Sequence, residues 1–249
     1  MIDIFVVNLA SSQERKEKIS QQLEALQLNY HIFSAVDGRA GEHPLFQKYQ
    51  ECLSQRYRGK SLSKGQLGCY ASHYRLWEKC VELNKPIIVL EDDAVIDAAA
   101  FSNFCHQCQD LPKSLHFIRL HKNQRKKYSS CQVYINNGIE IHRFDKGQMG
   151  TIGYYLTPTG AKTFIEHSQQ WVFPVDIMMD RFWATHVECY GLVPPCISHN
   201  DDDISDIGYG QKAPRSFLTR CRREYFNLTE AIRRKKHNIQ FKRQHNRLK

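Results

Sequence analysis

The sequence predicts an α/β protein built on a mostly parallel central sheet and followed by a basic helical tail. Three observations carry this. The run Ile87-Ile88-Val89-Leu90 is short, apolar and rich in β-branched residues, as a strand buried on both faces requires. Residues 2–36 read strand, helix, strand, and that order implies a parallel pair with a right-handed crossover. From Gln211 the composition changes to Lys and Arg interleaved with apolar residues at helical spacing.

A chain of 249 residues with 41% hydrophobic content can bury a sizeable core. We divide it into a body, residues 1–210, and a tail, residues 211–249. Thirteen Lys and Arg against Glu224 and Glu230 give the tail a net +11; the whole chain is +9, so the body is near −2. The tail, rather than the body, therefore seeks an anionic surface. No apolar run approaches the ~20 residues that span a bilayer. Met1-Ile-Asp-Ile-Phe-Val-Val lacks a basic n-region and a cleavage site, so it reads as a strand and not a signal peptide. The nine scattered cysteines are expected to be reduced thiols of a cytosolic protein. Cys105-His-Gln-Cys108 has no second pair at zinc spacing.

In chain order, Ile2–Leu9 forms the first strand and ends in a polar turn, with Ser11 or Ser12 capping a helix whose stripe is Ile19, Leu23, Leu26 and Leu28. Tyr30–Val36 is the second strand, closed by Asp37-Gly38-Arg39. After a polar stretch with helix near 46–52, Ser63 caps a helix over 64–83. Gln66 stands at the capping-box position, and Leu67, Tyr70, Trp77 and Val81 point inward. Gly65 and Gly68 lower its helix propensity and suit close backbone or ligand approach. Ser72 and His73 fall mid-helix, either as a buried hydrogen-bonded pair or as ligand contacts. Residues 98–108 are helical, 115–120 a strand, and 121–130 a basic loop with Lys122, Arg125, Lys126 and Lys127. Asn136-Asn137-Gly138 turns a hairpin within 131–144. A strand over 150–156 precedes a helix with Thr157 as cap and Pro158 at its first position. A further helix starts near Asp176, where a carboxylate can serve as a cap. A last strand, 189–193, leads to Pro194-Pro195, His199 and the acidic run Asp201–Asp203.

The chemistry concentrates at Glu91-Asp92-Asp93, which directly follows the buried strand. Ligands of open α/β sheets gather at the carboxyl ends of such strands. Three adjacent carboxylates raise one another's pKa unless something positive lies among them, and a hard divalent cation meets that need. Glu91 and Asp93 share a face on an extended chain. A solvated acidic turn is the bland alternative.

Several stretches together resemble glycosyltransferase family 25, the lipopolysaccharide-type transferases that include collagen galactosyltransferase-like proteins. They are Phe5-Val-Val-Asn8-Leu9 with Ser12 and Arg15, Ala35-Val36-Asp37-Gly38, Leu62-Ser63 with Gly68-Cys69 and Ser72-His73, and Leu90-Glu91-Asp92-Asp93. Gly153-Tyr154-Tyr155 with Gly160-Ala161, and Pro174-Val175-Asp176, continue the match more weakly. The likeness runs over roughly residues 2–200; the tail lies outside it. Many members carry Glu where this chain has Gln66. The resemblance implies a GT-A-like, Rossmann-type nucleotide-sugar transferase domain. It also implies a UDP-hexose donor, galactose before glucose, inversion at the anomeric carbon and a lipooligosaccharide or other saccharide acceptor.

On that footing Asp93 leads the ligands of a Mn²⁺ or Mg²⁺ ion, with Glu91 and His199 assisting. Asn8, Leu9, Arg15, Val36, Asp37, Gly38, Ser72, His73, Glu91 and Asp92 bind the nucleotide sugar, Asp92 at the ribose. Asp176, on a different element from the acidic motif, is the candidate base. The expected partners are a UDP-sugar, a lipid-linked oligosaccharide and the anionic cytoplasmic face of a bacterial inner membrane, reached through the tail. RNA is the competing reading of the tail's charges, but no recognised nucleic-acid motif is present, so nucleic acid is not expected. Two other readings stand beside the transferase: a catalytically silent scaffold on the same fold, and a metal-dependent phosphohydrolase.

Overall fold

The computed structural model describes residues 2–123, 127–199 and 217–247. Strand β1 (Asp3–Asn8) passes through helix α1 (Gln13–Ala25) to the parallel strand β2 (Tyr30–Ser34). Ile19 and Leu23 bury the inner face of α1. Ser12 occupies its N-cap position without a side-chain cap bond; the Ser12 carbonyl instead accepts from Asn8 Nδ2. Instead of one helix near 46–52 there are a 3₁₀ turn (Pro44–Lys48) and α2 (Glu51–Arg58), which ends at Gly59 in the left-handed region.

Helix α3 (Lys64–Leu83) carries the expected capping box: Gln66 N–H donates to Ser63 Oγ, and Ser63 N–H donates to Gln66 Oε1. A capping role therefore accounts for Gln66. Tyr70 and Trp77 are buried in the core, but Leu67 is only half-buried and Val81 is exposed, because the helix rolls its Tyr70–Tyr74–Trp77 face onto the sheet. Strands β3 (Ile87–Glu91) and β4 (Ala94–Ile96) flank the acidic turn, and Asp97 caps α4 (Ala98–Gln107). Beyond β5 (Phe117–Arg119), β6 (Ser130–Asn136) and β7 (Ile139–Phe144) form the hairpin. Its turn residues Asn137 and Gly138 both have positive φ, which is why this sequence turns there. Strand β8 (Gly153–Leu156) leads to α5 (Pro158–Glu166), whose cap Thr157 accepts from Gly160 N–H. Short helices α6 (Val175–Met179) and α7 (Phe182–Thr185) precede β9 (Tyr190–Leu192), β10 (Ile197–His199) and the long α8 (Phe217–Arg247).

The main sheet runs β2-β1-β3-β8-β5-β9-β7-β6. Six of its strands point one way; β7 and β8 oppose them. Ile88 and Leu90 of β3 pack into the core layer beneath α1 and α4. Ile87 and Val89 pack into the layer beneath α3 and α5. This double burial explains the uninterrupted apolar run of β3. A two-stranded sheet pairs β4 with β10.

The nine cysteines are free thiols, and Cys105 and Cys108 sit in the core. Arg125, Lys126, Asp201–Asp203 and Gln211–Ser216 lie outside the described residues. Among the described residues no helix is long and apolar enough to cross a membrane.

Candidate functional site

Strands β1, β2 and β3 run in parallel with their carboxyl ends level, Asn8 opposite Ser34 and Val7 opposite Glu91. The loop after β2 is drawn against the start of α3. A Cβ on Gly68 would lie 2.4 Å from Val36 O and 2.5 Å from Gly38 N, and one on Gly38 would lie 1.8 Å from Lys64 O. Ser72 holds this contact from within the helix: its Oγ accepts from Val36 N–H at 2.8 Å and donates to Gly68 O at 2.8 Å.

Between these elements opens a cleft whose empty space, open solvent at its mouth included, is about 710 Å³. Leu9, Ser12, Arg15, Val36, Asp37, Gly38, Ser72, His73, Glu91, Asp92 and Asp93 all line it. The structure thus brings ten of the residues expected at the donor site to one cavity. Asn8 lies beneath the wall and not on it: Nδ2 donates to Asp92 Oδ2 at 2.7 Å, and Arg15 Nη1 stands 3.8 Å from Asp92 Oδ1.

The three carboxylates face different partners. Glu91 Oε1 accepts from His73 Nε2 at 3.3 Å and from Thr151 Oγ1. Burial pushes Glu91 up, but the His73 and Thr151 contacts outweigh it and hold the carboxyl below its ordinary value. His73 Nδ1 meets Tyr154 Oη at 2.9 Å, and Trp77 Nε1 donates to the same oxygen. The indole only donates and the carboxylate only accepts, so with a neutral imidazole the bonds run one way, from Trp77 through Tyr154 and His73 to Glu91. Asp93 has no such support. Its Oδ2 lies 3.4 Å from His199 Nε2, while Oδ1 is buried without a hydrogen-bond partner among the described residues. Burial, then the neighbouring Glu91 charge, pushes Asp93 up to about 7. His199 reaches it because β10 pairs with β4 in the register that sets His199 opposite Ala94.

Asp93, adjoining Glu91 and His199, is a donor set suited to a hard divalent cation, since a buried, unpartnered carboxylate oxygen is what such an ion would satisfy. The ligand atoms of Cys69, His73 and Glu91 also lie within 4.8 Å of one another. Burial and the charges of Glu91 and Asp176 hold the Cys69 thiol well above its usual range, and its soft sulfur does not suit a hard, oxygen-seeking ion.

Asp176 is not on the cleft wall. It sits in the first turn of α6, where its Oδ2 accepts from Gly150 N–H at 3.2 Å, so it braces a neighbouring loop and does not cap its own helix. The adjacent Thr151 is the residue bonded to Glu91. One dipeptide therefore links the candidate base to the acidic turn. The loop is fixed from below by a buried pair: Arg119 Nη2 donates to Asp180 Oδ1 at 2.9 Å, Arg119 Nη1 donates to Gly150 O, and Asp180 Oδ2 accepts from Met149 N–H at 2.6 Å. Thr151, Arg119 and Asp180 carried no motif signal, because their partners lie more than twenty-five residues away in the chain.

A mostly parallel sheet with a carboxylate-lined cleft at its strand ends defines an α/β protein of the Rossmann type. The description of glycosyltransferase family 25 (LPS biosynthesis protein) matches residues 1–179, and the chain belongs to that family. It is 25% identical over 224 residues to a glycosyltransferase 25 family member of Aedes aegypti, covering 83% of this chain and 37% of that protein. It is 26% identical over 195 residues to procollagen galactosyltransferase 1 of Danio rerio, covering 74% and 32%. It is 30% identical over 218 residues to the probable inactive glycosyltransferase 25 family member 3 of Rattus norvegicus, covering 77% and 37%. The chain spans about a third of the length of these relatives.

Proposed function

We propose that the chain is an inverting, metal-dependent transferase that moves a hexose, galactose before glucose, from a UDP-sugar to a saccharide acceptor. The observation that carries this is Asp93 Oδ1, buried and without a partner among the described residues, at the head of a cleft walled by Glu91, Asp92 and Arg15. Galactose is preferred because relatives of this chain are named procollagen galactosyltransferases. The family's description as an LPS biosynthesis protein supports the reading of a lipid-linked oligosaccharide acceptor.

In this reading Leu9, Val36, Asp37 and Gly38 hold the uridine end, largely through main chain, and Asp92, oriented by Asn8 and Arg15, meets the ribose. Asp93 would hold Mn²⁺ or Mg²⁺ with Glu91 and His199, and a cation bound there supplies positive charge opposite the departing diphosphate. The acceptor hydroxyl oxygen bonds to the anomeric carbon as the bond from that carbon to the diphosphate breaks. The electron pair leaves with UDP, and the hydroxyl proton passes to the Asp176 carboxylate. Asp176 is close enough to the cleft for its charge to act on Cys69, a wall residue.

The test is UDP release from UDP-galactose with an oligosaccharide acceptor. Asp176→Asn should lower turnover by roughly 10²–10⁴-fold with UDP binding retained; wild-type-like turnover would remove Asp176 from the reaction. The relative named probable inactive supports a second reading, a silent binding protein. UDP binding by the wild type without turnover on any acceptor would favour it.

A further inference from the structure

The apolar residues of α8 do not face the body. Leu218, Tyr225 and Leu228 are 66%, 71% and 59% exposed, and Phe217, Ile232 and Ile239 are exposed with them. From Leu218 they recur at steps of three, four and seven through Cys221, which also lies open, so they form one stripe along the helix. The opposite face does the docking. Phe226 stacks on Tyr57 and Phe173, with centroids 4.7 and 5.8 Å apart. Glu230 accepts from Arg181 and from Trp183 Nε1. His237 meets Glu188, and Phe241 lies under the Arg143 guanidinium at 4.6 Å. The helix is thus fixed to the protein by its aromatic and polar side, and its aliphatic side is left outward. Arg220, Arg222, Lys235, Lys236, Lys242 and Arg243 flank that stripe and are exposed.

We infer that α8 is a docking helix for the surface of an anionic lipid bilayer, with Leu218, Tyr225, Leu228 and Ile232 entering the acyl boundary and the flanking cations meeting the headgroups. Apolar residues along the middle with Lys and Arg on both sides are what an interfacial helix needs. A second copy of the helix fits poorly, since apposed stripes would bring two sets of Lys and Arg together. Nucleic acid would use the charges but leave the aliphatic stripe in water. The inference is independent of the transferase reading. Because Arg181, which grips Glu230, follows α6 directly, the docked helix would also hold the Asp176 side of the protein near the bilayer.

The test is sedimentation of the full chain with phosphatidylcholine vesicles, with and without phosphatidylglycerol. The wild type should bind the mixed vesicles and release with salt. Leu228→Asp combined with Ile232→Asp should weaken binding by more than about tenfold, and Lys235→Ser by about fivefold. Both side chains of the double variant are exposed, so its circular dichroism and melting should match the wild type. Indifference of the wild type to phosphatidylglycerol, or full binding by the double variant, would overturn the proposal. So would a dimer in sedimentation velocity that the double variant abolishes in the absence of vesicle binding.

Discussion

His73 Nε2 lies 3.3 Å from Glu91 Oε1, and the imidazole that makes this contact is wholly buried. The histidine sits behind the acidic turn, fixing one of its carboxylates from the core. It is therefore a positioning residue for Glu91 as well as part of the cleft wall. His73→Gln should lower turnover by about 10–100-fold, as loss of a ligand-orienting partner does. Tyr154→Phe keeps the ring but orphans Trp77 Nε1 and His73 Nδ1, and should cost about 1–3 kcal/mol of stability. Steady-state kinetics and urea denaturation separate the two. Equal kinetics for His73→Gln and wild type would show that Glu91 needs no such support.

The close approach of α3 to the loop after β2 leaves no room for a methyl group at Gly68. Gly68→Ala should destabilise the fold by about 1–3 kcal/mol and weaken UDP binding, because backbone and not a flexible side chain must move. Thermal melting with UDP titration reads both effects. An unchanged melting temperature would mean that the loop yields freely.

Arg119 and Asp180 form an ion pair with almost no solvent contact. Removing one partner strands the other, so Arg119→Met should lose about 3–5 kcal/mol, measured by urea denaturation. Arg119→Met with Asp180→Leu should recover part of that loss, since no buried charge is left alone. A double variant weaker than the single would contradict this account.

Glu188, just before β9, ties Arg143 of β7 to His237 of α8. Burial raises its carboxyl, but His237 and Arg143 outweigh burial and hold it below its ordinary value. A folded pKa below the unfolded one stabilises the protein above the unfolded value, ~4.3, and that stabilisation is lost as pH falls through the folded value. Tyr190 also feels this charge. Docking of α8 should therefore loosen below about pH 4. The stability difference between wild type and Glu188→Gln should shrink over the same window. Parallel melting curves at all pH values would rule the tie out.

Features set by neighbours in sequence were legible from the chain. The Ser63–Gln66 capping box, the Asn137-Gly138 turn and the Thr157-Pro158 helix start each depend on residues within three positions. The acidic turn was legible because a buried strand must end where its charges begin. Strand direction was not, and β8 runs against β3 although its sequence would fit either sense. Nothing local showed that β10 would form and carry His199 to Asp93, or that Thr151 would reach Glu91. Periodicity found the apolar stripe of α8, but a period names a face and not what that face meets. The helix itself runs unbroken to Arg247.

The most direct test of the donor site is calorimetric titration of UDP into the wild type and Asp93→Ala, with and without Mn²⁺. Manganese-dependent binding that disappears in the variant is the result predicted by a cation held at Asp93. Equal UDP affinity in all four experiments would contradict it.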